Sequence, residues 1–366
     1  MSVWKASLIA AALGLIVGLG LLSPQVARTG PISENVSWKI DNTTVYATVT
    51  RPRDVEGRRP AVLFIAGSGP TDRNWNSPMI RGTNGSGKLL ADALAEQGYV
   101  TLRYDKRASG KHALANVLKM IGKISMASHL AEVRSAVDIL ASRSDVDPSR
   151  IYVLTNSEGA IHALNYVRSD PAVPFAGMIL TGAPGRTIQE LGETQVQMML
   201  AGSDHADELL ASYKTAVDDF LAGKEMTIDP ELPQMAKTLL QSLAAPANQP
   251  FARELWTLDI APWLAEVDIP TMVLIGKKDI QVDWQLDGQP LEAQAADNAN
   301  VTFVYPENAN HVLKYEPKPR EDLTTNDGTT YNLKDRILDP ESLSDILEWL
   351  NAKSGAGGNP ASDSSQ

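Results

Sequence analysis

The 366-residue chain has no cysteine. That excludes disulfides, thiolate metal sites and a cysteine nucleophile, and it removes any thiol-based clue to redox compartment. Histidine is scarce, with five in the whole chain: His112, His129, His162, His205 and His311. Basic residues are outnumbered, 33 Lys and Arg against 44 Asp and Glu, for a formal net charge of −11. A surface of that sign repels phosphate backbones, so nucleic acid is not an expected partner. No internal repeat is present. What remains is an ordinary globular balance, 43% hydrophobic and 21% charged, on a chain long enough for one large α/β domain with an insertion.

The two ends differ from the body. Lys5 is followed by "ASLIAAALGLIVGLGLL", with no charge until Arg28. A positive residue before such a run directs export. The run falls just short of a comfortable membrane span of about 20 residues. Residues 1–27 are therefore expected to be either a cleaved signal peptide or an N-terminal membrane anchor. Ala27 suits the −1 position of a cleavage site, and Gln25 does not suit −3. The body is expected outside the cytoplasm, periplasmic or extracytoplasmic, touching a membrane only through this segment. Residues 354–366, "SGAGGNPASDSSQ", carry nothing apolar enough to anchor them and read as a disordered tail.

Between the ends, strand-like and helix-like runs alternate. "VSWKI" and "TVYATVT" predict a hairpin. "PAVLFIAG", "YVTLRYD", "RIYVLT", "FAGMILTGAP", "PTMVLIG" and "VTFVYP" are continuous apolar runs of the kind buried on both faces of a sheet. Helical stripes lie between them, as in "ASHLAEVRSAVDIL" and the closing "LSDILEWL", where Asp339 and Pro340 mark a helix start. The pattern predicts an α/β chain with a doubly wound, mainly parallel sheet. Residues 186–262 break the alternation with helical stripes alone, which predicts an all-helical cap insertion. The sheet-forming core is then expected over 36–185 and 263–353. A cap leaving the carboxyl ends of the strands would cover the place where such sheets bind ligands.

One junction carries chemistry. "RIYVL" runs into "TNSEG" and then an Ala-rich helix, the strand–turn–helix of a nucleophile elbow centred on Ser157. A helix-capping serine is the plainer alternative. The rest of a triad can be sought by order, acid then histidine. Outside the helix after Ser157, only His205 and His311 follow it. His205 lies in the helical insert, whereas His311 lies in a loop just past the strand "VTFVYP". Asp279 stands just past the preceding strand, where an acid would hold the imidazole tautomer. Asp283 is its competitor, and a turn aspartate is the plainer reading of either. An oxyanion hole needs two backbone N–H groups. Glu158, after Ser157, supplies one. Ser68 in "GSGP" supplies the other, because glycines there allow close approach to a ligand. A dinucleotide-binding reading of "GSG" fails, since no helix follows and Pro70 intervenes.

Several stretches together, "FIAGSGPTDRN", "LRYDKRASGKH", "DVDPSRIYVLTNSEGA", "VLIGKKDIQVDW" and "ENANHVLKY", resemble the α/β-hydrolases, in particular the bacterial dienelactone-hydrolase-like and thioesterase-like serine esterases. The resemblance implies an α/β-hydrolase fold with Ser157 as nucleophile, Asp279 as acid and His311 as base. This chain departs from the usual motifs with Thr155 for Gly, Asn156 for His and Ala108 for Gly. Asp105 and Arg107 read as a structural loop. The expected activity is hydrolysis of small-molecule carboxylic esters or thioesters through an acyl-enzyme, with no cofactor and no metal. A serine peptidase acting on short peptides and a non-catalytic binding protein are the alternatives. The physiological substrate and the oligomeric state are not legible.

Overall fold

In the computed structural model, residues 30–53 and 56–355 are described. The export segment, residues 1–27, lies outside the described residues, as does the tail beyond Gly355. No helix among the described residues is long and apolar enough to cross a membrane.

Eight strands form one sheet: β1 Ile32–Ile40, β2 Thr43–Arg51, β3 Arg59–Ile65, β4 Val100–Tyr104, β5 Val146–Asn156, β6 Gly177–Thr181, β7 Thr271–Leu274 and β8 Val301–Val304. Their order is β1-β2-β4-β3-β5-β6-β7-β8. The β1–β2 and β2–β4 pairings are antiparallel, and every other pairing is parallel. The helices are α1 Ser86–Glu96, α2 Ala113–Met120, α3 Met126–Ala141, α4 Gly159–Val167, α5 Ile188–Met199, α6 Ala206–Leu221, α7 Gln234–Ala244, α8 Phe251–Trp256, α9 Ala261–Ala265, α10 Gln289–Gln294, α11 Thr325–Gly328 and α12 Pro340–Ser354. As the alternation predicts, the fold is a mainly parallel sheet with helices on both faces. β1 starts at Ile32, ahead of the expected core boundary at 36.

The two-residue period of a strand explains why the central runs are wholly apolar. Leu63, Ile65, Val153, Met178, Leu180 and Val273 face one core, with Val133, Val137 and Leu140 of α3 and Ile161 and Leu164 of α4. Their neighbours Val62, Phe64, Tyr152, Leu154, Ile179, Met272 and Leu274 face the other, with Leu90 and Leu94 of α1 and Ile346 and Leu350 of α12. Both faces are dry, so a polar residue at any of these positions would lose its water without gaining a partner.

Between β6 and β7 the chain forms only helices, α5 to α9, among the described residues. The helices α5 to α8 bury a core of their own around Val196, Tyr213, Val217, Phe220, Leu240 and Trp256. The insert is fastened where it leaves the sheet. Arg186 donates to buried Asp287, in the connection after β7, through Nε at 3.0 Å and a second nitrogen at 2.9 Å. At its far end Phe251 N–H donates to Ile124 O at 2.8 Å, just before α3.

The central strand tests this packing. Leu154→Ala should lower unfolding free energy by about 2–5 kcal/mol, because rigid neighbours on the sheet leave a cavity. Urea titration measures it; a loss under about 1 kcal/mol would contradict the two-faced core.

Candidate active site

β5 ends at Asn156 and α4 begins at Gly159, so the reversal is made by Ser157 and Glu158. Ser157 has φ +53°. For a residue with a Cβ this left-handed backbone costs on the order of 1–2 kcal/mol, so neighbours must hold it. They do: Ser157 N–H donates to Thr181 O at 2.8 Å, and Ser157 O accepts from Ala160 N–H at 2.9 Å. α4 then runs hard against β3. A Cβ on Gly159 would stand 2.5 Å from Ile65 O, closer than any side chain can approach. Thr155 is accommodated without a clash, fully buried with its Oγ1 3.4 Å from Ile179 O. The small-residue requirement of the turn therefore falls on Gly159 rather than on position 155.

The loop after β7 places Asp279. Its Oδ1 accepts from Gln281 N–H at 2.7 Å and Val282 N–H at 2.9 Å. That leaves Oδ2 for His311 Nδ1 at 2.7 Å, a contact sealed by the burial of both residues. Asp283 is engaged elsewhere: it caps the turn at Trp284–Gly288 and pairs with Arg320 at 2.9 Å. His311 follows β8 in a loop braced from three sides. Asn310 Oδ1 accepts from the N–H of Val312 at 3.2 Å and Lys314 at 2.9 Å. The buried Lys314 ammonium donates to Asn84 O and Arg336 O at 2.8 and 3.1 Å. Asn156 Nδ2 donates to His311 O at 2.9 Å, tying this loop to the elbow.

The end of β6 brings serine and imidazole together. Thr181 holds the Ser157 N–H, and a Cβ on the next residue, Gly182, would stand 3.1 Å from His311 Cε1 and 3.5 Å from Asp279 Oδ2. Ser157 Oγ and His311 Nε2 make no hydrogen bond to each other among the described residues. Apo sites often leave that contact long, to tighten when substrate binds.

After β3, Gly67 packs on the elbow: a Cβ there would meet Asn156 Oδ1 at 3.0 Å and Ser157 Cβ at 3.2 Å. Ser68 is the next residue. The N–H groups of Ser68 and Glu158 have no hydrogen-bond partner among the described residues.

Beneath the turn lies a row of buried charged and titratable groups that sequence reading missed. Lys106 Nζ stands 2.8 Å from Glu158 Oε1, which is 3.1 Å from His162 Nε2. The His162 and His129 rings lie 4.6 Å apart, His129 Nδ1 is 3.4 Å from Glu132 Oε2, and Arg107 Nε is 2.8 Å from Glu132 Oε1. Phe251 of α8 packs its ring 4.5 Å from that of His129. Two cations and two carboxylates thus pair in the dry interior, as buried charge must. Burial opposes the ionised Glu158, but Lys106 and His162 outweigh it and hold the carboxyl well below its ordinary range. Burial pushes His162 down to about 4, against the pull of Glu158. The available signal was the run "DKRASGKH", whose Lys106 and Arg107 stand at the carboxyl end of β4. Asp105 is structural, accepting from Arg73 N–H at 2.8 Å and its guanidinium at 2.7 Å. The remaining histidines lie outside the cluster: His112 stacks on Tyr46 and His205 is exposed beside Glu208. Among the described residues no group of three or more His, Cys, Asp or Glu could hold a metal ion.

Comparison with known proteins gives the class. No family model matches the chain. Its fold is that of proline iminopeptidase from Mycobacterium smegmatis, with a TM-score of 0.53 at 14% identity over 89% of this chain and 100% of that one. It is also that of 2,6-dihydroxy-pseudo-oxynicotine hydrolase, with a TM-score of 0.50 at 15% identity over 89% of this chain and 69% of that one. The chain therefore has the α/β-hydrolase fold. By sequence it is similar to the Bacillus subtilis (strain 168) protein called "Putative hydrolase YtaP", 29% identical over 124 residues. That match covers 32% of this chain and spans less than half, 42%, of the relative.

Two stability predictions follow from this geometry. Gly159→Ala should cost about 1–3 kcal/mol, since Ile65 O cannot yield without disturbing β3; a melting temperature equal to wild type would contradict the close approach. Acid should also destabilise the chain. The unfolded His162 takes up a proton near pH 6.5, whereas the folded one resists to about pH 4. Between those values the unfolded state binds more protons, so stability falls as pH falls. The unfolded Glu158 protonates near about pH 4.3 while the folded carboxylate stays charged, which extends the loss. His162→Gln keeps a donor for Glu158 and should flatten the melting temperature between pH 6.5 and pH 4; a profile as steep as wild type would refute the assignment.

Proposed function

We propose that the protein is a serine hydrolase that cleaves carboxylic ester or thioester bonds. The observation that carries this reading is the 2.7 Å Asp279–His311 contact beside a serine held at positive φ between strand and helix. Asp279 accepts the Nδ1 proton, so Nε2 carries the lone pair that takes the Ser157 proton. Ser157 Oγ attacks the acyl carbon, and the carbonyl oxygen becomes an oxyanion. The free N–H groups of Ser68 and Glu158 receive that oxyanion. His311 returns the proton to the leaving alcohol or thiol, and the acyl-enzyme forms. Water, deprotonated by His311, attacks the same carbon, and collapse releases the acid and restores Ser157. The insert of α5 to α9 shapes the acyl or alcohol pocket. Residues 6–22 support placing this activity outside the cytoplasm.

A fluorophosphonate probe should label wild type at Ser157 and leave Ser157→Ala unlabelled. Ser157→Ala and His311→Ala should lower kcat on p-nitrophenyl esters by about 10⁴-fold or more, and Asp279→Asn by about 10⁴-fold, because its amide favours the wrong tautomer. Undiminished labelling of Ser157→Ala would sink the assignment. Turnover of aminoacyl anilides but of no acyl ester would replace esterase by peptidase.

A further inference from the structure

The Lys106 side chain lies almost wholly inside the protein. Its ammonium touches two groups, Gly67 O at 2.7 Å and Glu158 Oε1 at 2.8 Å. These are the two arms of the proposed oxyanion hole. Gly67 O belongs to the same peptide unit as Ser68 N–H. In a trans peptide the carbonyl and the N–H point in opposite directions, so a donor that fixes Gly67 O also fixes where Ser68 N–H points. A cation on that carbonyl polarises the amide and strengthens its N–H as a donor. Glu158 owns the other N–H, and its carboxylate is drawn to the same ammonium.

Nothing else near Gly67 O does this work: among the described residues it accepts from Lys106 alone. The loop Ser68–Pro70 is exposed, with Gly69 at φ +70° and no atom packed where its Cβ would be. Left to itself such a loop would sample several orientations of the Gly67–Ser68 peptide. Donors aligned before the reaction are what make an oxyanion hole effective.

We propose that Lys106 is a positioning residue that locks both oxyanion donors, Ser68 N–H through Gly67 O and Glu158 N–H through the Glu158 carboxylate. This rests on Ser157 being the nucleophile. The role differs from that of Asp279, because Lys106 aligns what receives charge and not what transfers the proton.

The test uses the full chain. The kcat and KM of a p-nitrophenyl ester are measured for wild type, Lys106→Met, Lys106→Arg and the double variant Lys106→Met/Glu158→Gln. Alongside go the melting temperature and the affinity for a trifluoromethyl ketone, which forms an oxyanion adduct on serine, and for the matching methyl ketone. Lys106→Met should lower kcat about 10- to 100-fold with KM within about 3-fold. It should weaken the trifluoromethyl ketone by a similar factor and spare the methyl ketone. Lys106→Arg, which keeps a donor, should recover part of kcat. Lys106→Met leaves a buried carboxylate unpaired and loses stability. The double variant removes that charge, so it should regain the melting temperature without regaining kcat, and it decides the matter if the single variant does not fold. Wild-type kcat in either methionine variant, or kcat and melting temperature recovering together, would overturn the role of Lys106. Failure of the probe to label wild-type Ser157 would instead overturn the hydrolase reading itself, and this one with it.

Discussion

The site depends on one close approach, that of α4 to the end of β3. Because Gly159 has no side chain, the helix start can lie against Ile65 O. That contact forces the chain to reverse in two residues, which puts Ser157 into a left-handed backbone with its N–H on Thr181 O. The strain is repaid by hydrogen bonds and packing spread over β3, β5 and β6. The same approach brings Gly67 against the elbow, so both N–H groups that flank the serine lie on segments already in contact. Ser157 and the N–H groups of Ser68 and Glu158 are therefore parts of one packing solution.

The Asp279–His311 pair belongs to the other half of the sheet. Asp279 and His311 follow β7 and β8, and parallel pairing delivers both to the same end as Ser157. Asp279 accepts two backbone N–H groups on Oδ1, which leaves one oxygen for the imidazole. Lys106 and Glu158 follow β4 and β5, and the charges around them pair within the dry interior. The α8 ring of Phe251 closes over the two histidines of that row, so the insert packs directly on the electrostatic floor of the site.

Much of this was legible in the sequence because the signals were local and repeated. Continuous apolar runs marked the strands, and each candidate group stood just past one of them. Asp279 and His311 were found by that rule, and the structure brings them into hydrogen-bond contact. The helix start at Asp339 and Pro340 was read from its cap, and Asp339 accepts from Ser342 N–H at 2.9 Å. The buried row was not legible, since Lys106 follows β4, His129 and Glu132 lie on α3 and His162 lies on α4, and the three segments meet only when the helices pack against the sheet. A charged residue in sequence reads as a surface residue. The segment 316–338 was equally opaque, because it is held by isolated bridges and by Lys314, not by any periodic pattern.

Asn156 shows what one departure from the usual motif does here. In this chain the position before the serine holds an amide. Its Nδ2 reaches His311 O, and its Oδ1 would stand 3.0 Å from a Cβ on Gly67. One side chain thus lies between the His311 loop and the loop after β3. Thr155 fits the same account. Its bulk is absorbed by bonding across β6, where Thr181 Oγ1 in turn donates to Thr155 O at 2.6 Å. Thr155 Oγ1 donates to Ile179 O where glycine would have supplied only space, and Asn156 Nδ2 donates to His311 O. They brace the turn through side chains, and the geometry of Ser157 follows from that bracing as much as from Gly159.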